Sequence, residues 1–340
     1  MDLLSHVISL TDQLHLPVGI EAQAQQHKEW HHFCLLGPGV EVILNLSLMR
    51  PAAQVDAPWD ARVILLVRET EWDGDVDIIP GAQVNARRGG LEIQLGHNRM
   101  QFKDGCFNLS LALQKRPITL TATLRPMAYP LTRRNTPIGK GKISWVVVPR
   151  LQATGTLVVG RRVYRLENAP AYHDHNWGQW SWGDDFSWQW GFALPPAAET
   201  PWSLVFDQMT DRGRNQALEL KLSLWKGPQL HRLFMHEELQ VRQEGFRTLT
   251  RPAKFPRPMA LVAQELTTDV PANFQIHAAR TADWLDCRFS ADDLAQIILP
   301  NELDLGVTII NEVSGCLTLQ GEVKGEQVSM EGRGFFEFLT

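Results

Sequence analysis

Between residues 171 and 191 the chain reads AYHDHNWGQWSWGDDFSWQWG, which sets two histidines, three aspartates and five tryptophans in one short stretch. Ionisable groups among large ring faces suit the wall of a pocket in which acid–base chemistry runs away from bulk water. If 172–176 is extended, the two-residue period puts His173 and His175 on one face and Tyr172, Asp174 and Asn176 on the other. In 186–190 the same period lines up Phe186, Trp188 and Trp190, with Ser187 and Gln189 behind them. Gly178 and Gly183 bracket 179–182, where a turn or bulge would bring Asp184 and Asp185 back toward Asp174. A His-x-His pair on one face is also a spacing that zinc sites use, with Glu29, His31 or His32 to complete the ligands. The same residues suit a purely structural knot, because Trp is a common core residue in β proteins and Asp, His and Asn beside Gly are ordinary turn chemistry. No G-x-S-x-G elbow, P-loop or dinucleotide-binding glycine motif competes with these readings.

The elements that must position this stretch read as strands. Leu3, Val7, Leu10 and Leu14 form one helical stripe, which predicts a short N-terminal helix that docks on the rest. Residues 28–33 then run into Gly37-Pro38-Gly39 and a second strand at 41–49, the pattern of a hairpin. Up to about residue 160 short β-type runs alternate with Pro, Gly and Asn turns, as in all-β sandwiches and barrels. The segment 125–142, basic and interrupted by Pro126, Pro130 and Pro137, reads as a surface loop. After the Trp-rich stretch, 194–201 (LPPAAETP) has linker composition, so the expected domains are 1–194 and 202–340. A faint repeat relates 155–167 to 321–331, each a strand, a Gly turn and a returning strand.

Composition narrows the function classes. With 44% hydrophobic and 21% charged residues in 340, the chain is expected to fold throughout without metal or disulfide staples. A net charge of −5 and the lack of a dense Lys/Arg cluster argue against nucleic-acid binding. Cys34, Cys106, Cys287 and Cys316 are too scattered for a C-x-x-C or a disulfide framework. No leader-like n-region or run of 18 apolar residues is present, so a cytoplasmic protein without a transmembrane segment is expected.

The blocks 149–157 (PRLQATGTL), 169–178 (APAYHDHNWG) and 182–191 (WGDDFSWQWG) resemble the AttH-like proteins and the related hydroxyneurosporene synthases, which are carotenoid 1,2-hydratases. Glu29-Trp30 and the closing 331–339 (EGRGFFEFL) fit the same pattern in the same order, so the resemblance spans nearly the whole chain. It implies two tandem lipocalin-like β domains around an apolar cavity near their junction, in a superfamily that handles isoprenoids, polyenes and other lipids. It implies no metal and no cofactor. Hydration or cyclisation of such a substrate starts by protonating a C=C, which needs a carboxylic acid that stays protonated near neutral pH.

Asp174 is the first candidate for that acid, with Asp185 or Asp184 sharing its proton and His175 or His173 returning the proton or positioning water. Tyr172, Trp177, Trp180, Trp182, Trp188, Trp190, Glu29 and Trp30 are the candidate substrate contacts, since a carbocation is stabilised against a π-face by roughly 0.5–2 kcal/mol. The expected ligand is an apolar isoprenoid or lipid, reached through peripheral contact with a membrane. A lipid carrier without turnover is the alternative reading.

Overall fold

In the computed structural model the described residues are 2–17, 26–50, 59–196, 200–248, 252–263 and 269–340. The chain is 69% strand and 7% helix, an all-β fold, and it divides into two compact units, Met1–Ser181 and Trp182–Thr340. The Pro-rich stretch after Leu194, where the linker was expected, joins two paired strands of the second unit.

The first unit begins with α1 (Leu3–Thr11), capped by the Asp2 carboxylate, which accepts the Ser5 N–H at 2.8 Å. Its inward side differs from the expected stripe. Leu3 and Leu10 are exposed, while Ile8 and Leu14 are buried and Leu4 packs against the core. Asp12, at the C-cap and 1% exposed, explains this rotation, because it must point inward to reach the histidines described below.

Among the described residues twelve strands follow: β1 (His27–Gly37), β2 (Val40–Arg50), β3 (Asp60–Arg68), β4 (Trp72–Ile79), β5 (Val84–Ala86), β6 (Glu92–Leu95), β7 (Asn98–Lys103), β8 (Cys106–Ala112), β9 (Ile118–Pro126), β10 (Leu131–Ile138), β11 (Gly141–Val159) and β12 (Arg162–Gln179). They form one sheet in the order β4-β3-β2-β1-β12-β11-β9-β8-β7-β6-β5, with β10 added beside β11. β9 shows why these segments are strands: Ile118, Leu120, Ala122 and Leu124 alternate inward while threonines and Arg125 face out. β10 lies in the segment expected as a loop. Its backbone pairs with β11 whatever its side chains, and the Arg133 guanidinium covers the Trp145 ring at 4.9 Å.

The second unit contains β13 (Ser187–Leu194), β14 (Trp202–Thr210), β15 (Ala217–Lys226), β16 (Gln229–Met235), β17 (Leu239–Glu244), β18 (Arg247–Thr248), β19 (Ala253–Phe255), β20 (Asp269–Val270), β21 (Asn273–Arg280), β22 (Asp283–Pro300), β23 (Val307–Val323) and β24 (Glu326–Leu339). Its main sheet runs β16-β15-β14-β13-β24-β23-β22-β21-β17. The topology repeats that of the first unit: four strands in a meander, then the unit's last strand paired beside its first. The faint sequence repeat falls on equivalent hairpins, β11–β12 and β23–β24. Gly155 and Gly321 occupy matching places there, since a Cβ at either would lie 2.2 Å from a neighbouring strand's carbonyl oxygen.

Candidate functional site

Two sets of buried ionisable groups stand out, one in each unit. The first follows from the β1–β12 register, which sets Glu29 opposite Trp177, His31 opposite His175 and Phe33 opposite His173. These six residues therefore share the inner face of the sheet, and Asp12 enters among them from the end of α1. The Asp12 carboxylate lies 3.2 Å from His173 Nε2, 3.2 Å from His175 Nδ1 and 3.7 Å from His31 Nδ1. Glu29 meets the other side of His175 at Nε2, 2.9 Å away, and also contacts His27 Nε2 at 3.0 Å and accepts the His15 backbone N–H at 2.6 Å. The rings stack: His31 on His175 at 3.9 Å, Phe33 on His173 at 4.1 Å and His15 flat on Trp177 at 3.8 Å.

Charge in this cluster is compensated. Burial opposes ionisation of Asp12, yet its neighbour His173 and the hydrogen bonds from His173 and His175 hold its carboxyl well below the usual range. Glu29 is likewise held low against its burial by hydrogen bonds from His15, His175 and His27. Burial would make His175 less basic, but its bonds to both carboxylates lift it to about 9. Burial and the neighbouring His175 charge keep His31 neutral.

Asp174 faces the opposite side of β12, with Tyr172, Asn176 and, across on β1, His32. It is 6% exposed, and the Asn176 amide donates to it at 2.5 Å. His32 is neutral there, pushed down to about 3 by burial and by His173. On this face Lys28 Nζ donates to the Trp180 carbonyl at 2.6 Å, and the Trp30 ring meets Trp180 edge-on at 5.4 Å.

The second set lies in the other unit. On β24 and β23, Glu337 and Glu312 stand directly opposite each other, and Trp190 on β13 is the register partner of Glu337 on its other side. The two side chains leave directly opposed register positions, and the Trp188 indole Nε1–H donates to Glu337 Oε1. Burial raises the Glu337 carboxyl above the usual range, partly offset by the bonds from Trp188 and Glu312. Glu312 is 1% exposed, whereas Glu337 is only partly buried. Aromatic rings border the pair: Phe186 stacks on Trp188 with centroids 5.7 Å apart, Trp182 lies 5.7 Å from Trp188, and Trp190 lies 5.7 Å from Phe192.

The predicted site residues are thus distributed over three places. His175, Trp177 and Glu29 belong to the inner cluster of the first unit. Asp174, Tyr172, Trp180 and Trp30 lie on the other face of its sheet. Trp182, Trp188 and Trp190 surround the glutamate pair. Asp185 is exposed and accepts the Arg212 backbone N–H at 3.0 Å, away from the glutamate pair's contacts. Asp12, His15, His27 and Glu312 were not singled out from sequence.

No protein-family model matches the chain, and no curated protein matches it in sequence. Among solved structures it is similar to an AttH protein from Nitrosomonas europaea, with 16% identity over 94% of both chains and a TM-score of 0.64. It is also similar to kievitone hydratase from Nectria haematococca, with 13% identity over 96% of this chain and 94% of that one and a TM-score of 0.59. A third, CghA solved with Sch210972, shows 11% identity over 93% of this chain and 88% of that one, at a TM-score of 0.61. The tandem lipocalin-like β architecture is shared over nearly the full length of all three, and at these identities the likeness is one of fold.

Proposed function

We propose that the protein catalyses acid-initiated hydration or cyclisation of a C=C bond in an apolar, isoprenoid-like substrate. The observation that carries this reading is the Glu312–Glu337 pair, whose shared burial keeps a carboxyl protonated above the ordinary glutamate range. An alkene is a weak base, and a neutral carboxylic acid beside apolar rings is the side chain suited to protonate it. The pair gives its proton to one alkene carbon, and a tertiary or allylic cation forms on the other. Trp188 and Trp190 offer π-faces to that cation, each good contact contributing roughly 0.5–2 kcal/mol. Water then adds at the cationic carbon, or an internal double bond closes a ring, and the carboxylate takes back the proton released. That one of the similar folds is a hydratase supports the reaction type.

Asp174 is the second candidate donor, because it is buried among ring-bearing residues of the first sheet. Mass spectrometry of the organic extract from freshly purified wild type, Glu337→Gln and Asp174→Asn protein separates the candidates. Accumulation of a precursor differing from the wild-type product by one water, or by one ring, in Glu337→Gln alone supports the glutamate pair. The same change in Asp174→Asn alone transfers the role to Asp174. An identical lipid in all three overturns the enzymatic reading in favour of a carrier.

A further inference from the structure

The inner cluster of the first unit is independent of the acid pair, and its geometry has a feature that hydrogen bonding leaves unsatisfied. His31 is 2% exposed, yet neither of its ring nitrogens has a hydrogen-bond partner. A buried imidazole in that state is costly unless something else occupies its lone pair. Its Nδ1 points at the Asp12 carboxylate, and ligand atoms of Asp12, His31 and His175 all lie within 4.8 Å of one another. We propose that Asp12, His31 and His175 bind one divalent transition-metal ion of the zinc class.

Three observations support this assignment. The spacings from the Asp12 carboxylate, 3.2 Å from Oδ1 to His175 Nδ1 and 3.7 Å from Oδ2 to His31 Nδ1, lie near the donor–donor edge of about 3.3–3.4 Å in a tetrahedron with bonds of about 2.0–2.1 Å. Asp12, His31 and His175 are the set whose donor atoms lie within 4.8 Å of one another, with His173 Nε2 beside it at 3.2 Å from Asp12 Oδ2, and two imidazoles with one carboxylate suit zinc rather than calcium or magnesium, which take oxygen.

The second coordination sphere is also in place. A histidine bound to a metal through one nitrogen characteristically gives its other N–H to a carboxylate or a carbonyl. His175 Nε2 faces Glu29 Oε1 at 2.9 Å, and His173 Nδ1 faces the His32 carbonyl oxygen at 2.9 Å. Since a carbonyl only accepts, His173 Nδ1 must carry its proton, which leaves Nε2 turned toward Asp12 with either a second proton or a cation between them.

Burial of every donor makes this a structural site, loaded as the unit folds and tying α1 to the sheet through Asp12. The full chain unfolded in denaturant with chelator and refolded with or without zinc tests it. His31→Phe is the informative variant, because it keeps the ring stack on His175 and removes no hydrogen bond. The wild type is expected to retain a single zinc per chain by elemental analysis, to melt higher when refolded with zinc, and to give visible cobalt bands when refolded with cobalt. His31→Phe should bind zinc at least roughly tenfold more weakly. Wild type that refolds to the same melting temperature with no bound metal overturns the proposal and leaves protons as the species between these groups, whether or not the variant folds.

Discussion

Replacing Glu337 by Gln separates the proton it shares from everything else it does. The amide oxygen of Gln still accepts the Trp188 indole N–H, and the side chain keeps its length, so the packing of β24 against β13 is preserved. What disappears is a titratable carboxyl whose folded-state proton affinity exceeds its unfolded one. The native protein holds that proton more tightly than the unfolded chain, so the carboxyl stabilises the fold fully below the unfolded glutamate value of 4.5. As pH rises through the raised native value the contribution is lost, at about 1.4 kcal/mol for each tenfold of proton affinity gained on burial.

Urea midpoints of wild type should therefore fall between pH 4.5 and neutrality by more than those of Glu337→Gln, and the variant should be the more stable protein at pH 7. Activity should move the other way. Loss of a general acid lowers the rate by about 10²–10⁴-fold, or roughly 3–5 kcal/mol in the barrier, and wild-type turnover should decline on the alkaline side as the pair ionises. Midpoints of the two proteins that run parallel across this pH range would refute the claim that burial holds a proton on Glu337, and with it the choice of donor.

Trp188→Phe removes the N–H that opposes proton retention on Glu337, so the alkaline decline in rate should move to higher pH; an unmoved pH–rate profile counts against that hydrogen bond. Asp12→Ala strips the buried imidazoles of their carboxylate and should cost about 3–5 kcal/mol in urea unfolding of the first unit, far beyond a surface change. Gly334→Ala would place a Cβ 1.7 Å from the Phe192 carbonyl oxygen, a backbone clash that must part β13 from β24; the loss should exceed the roughly 1–3 kcal/mol of ordinary overpacking and be visible as low soluble yield.

Period-two alternation carried much of this structure in the sequence. It separated His173 and His175 from Asp174 before any pairing was known, and the β1–β12 register places them on opposite faces of the sheet. It could not say which face is inner, because that depends on a partner strand some 140 residues away. The helix stripe failed for a related reason: the leucines of α1 have an apolar periodicity of their own, but the orientation of the helix is set by Asp12, whose partners His173 and His175 come from the far end of the unit. Glu337 was visible only as part of the closing EGRGFFEFL block, and Glu312 sits in a run that reads as plain buried strand. Two facing carboxyls are a property of two strands in register, and neither strand shows it alone.

The two buried clusters differ in a way that bears on what each can do. In the first unit carboxylates face imidazoles, so Asp12, Glu29, His173 and His175 satisfy one another by opposite charge and hydrogen bonds, and all four are buried. Such a set has little tendency to release a proton to a substrate, since doing so would strand a carboxylate or an imidazole without its partner. In the second unit two carboxyls face each other, and one of them remains partly exposed. Like groups placed so cannot both ionise without repulsion, and burial favours retention of a proton on the pair. The proposed function therefore assigns proton donation to the glutamate pair, and the proposed metal site assigns the histidine cluster to holding α1 on the sheet.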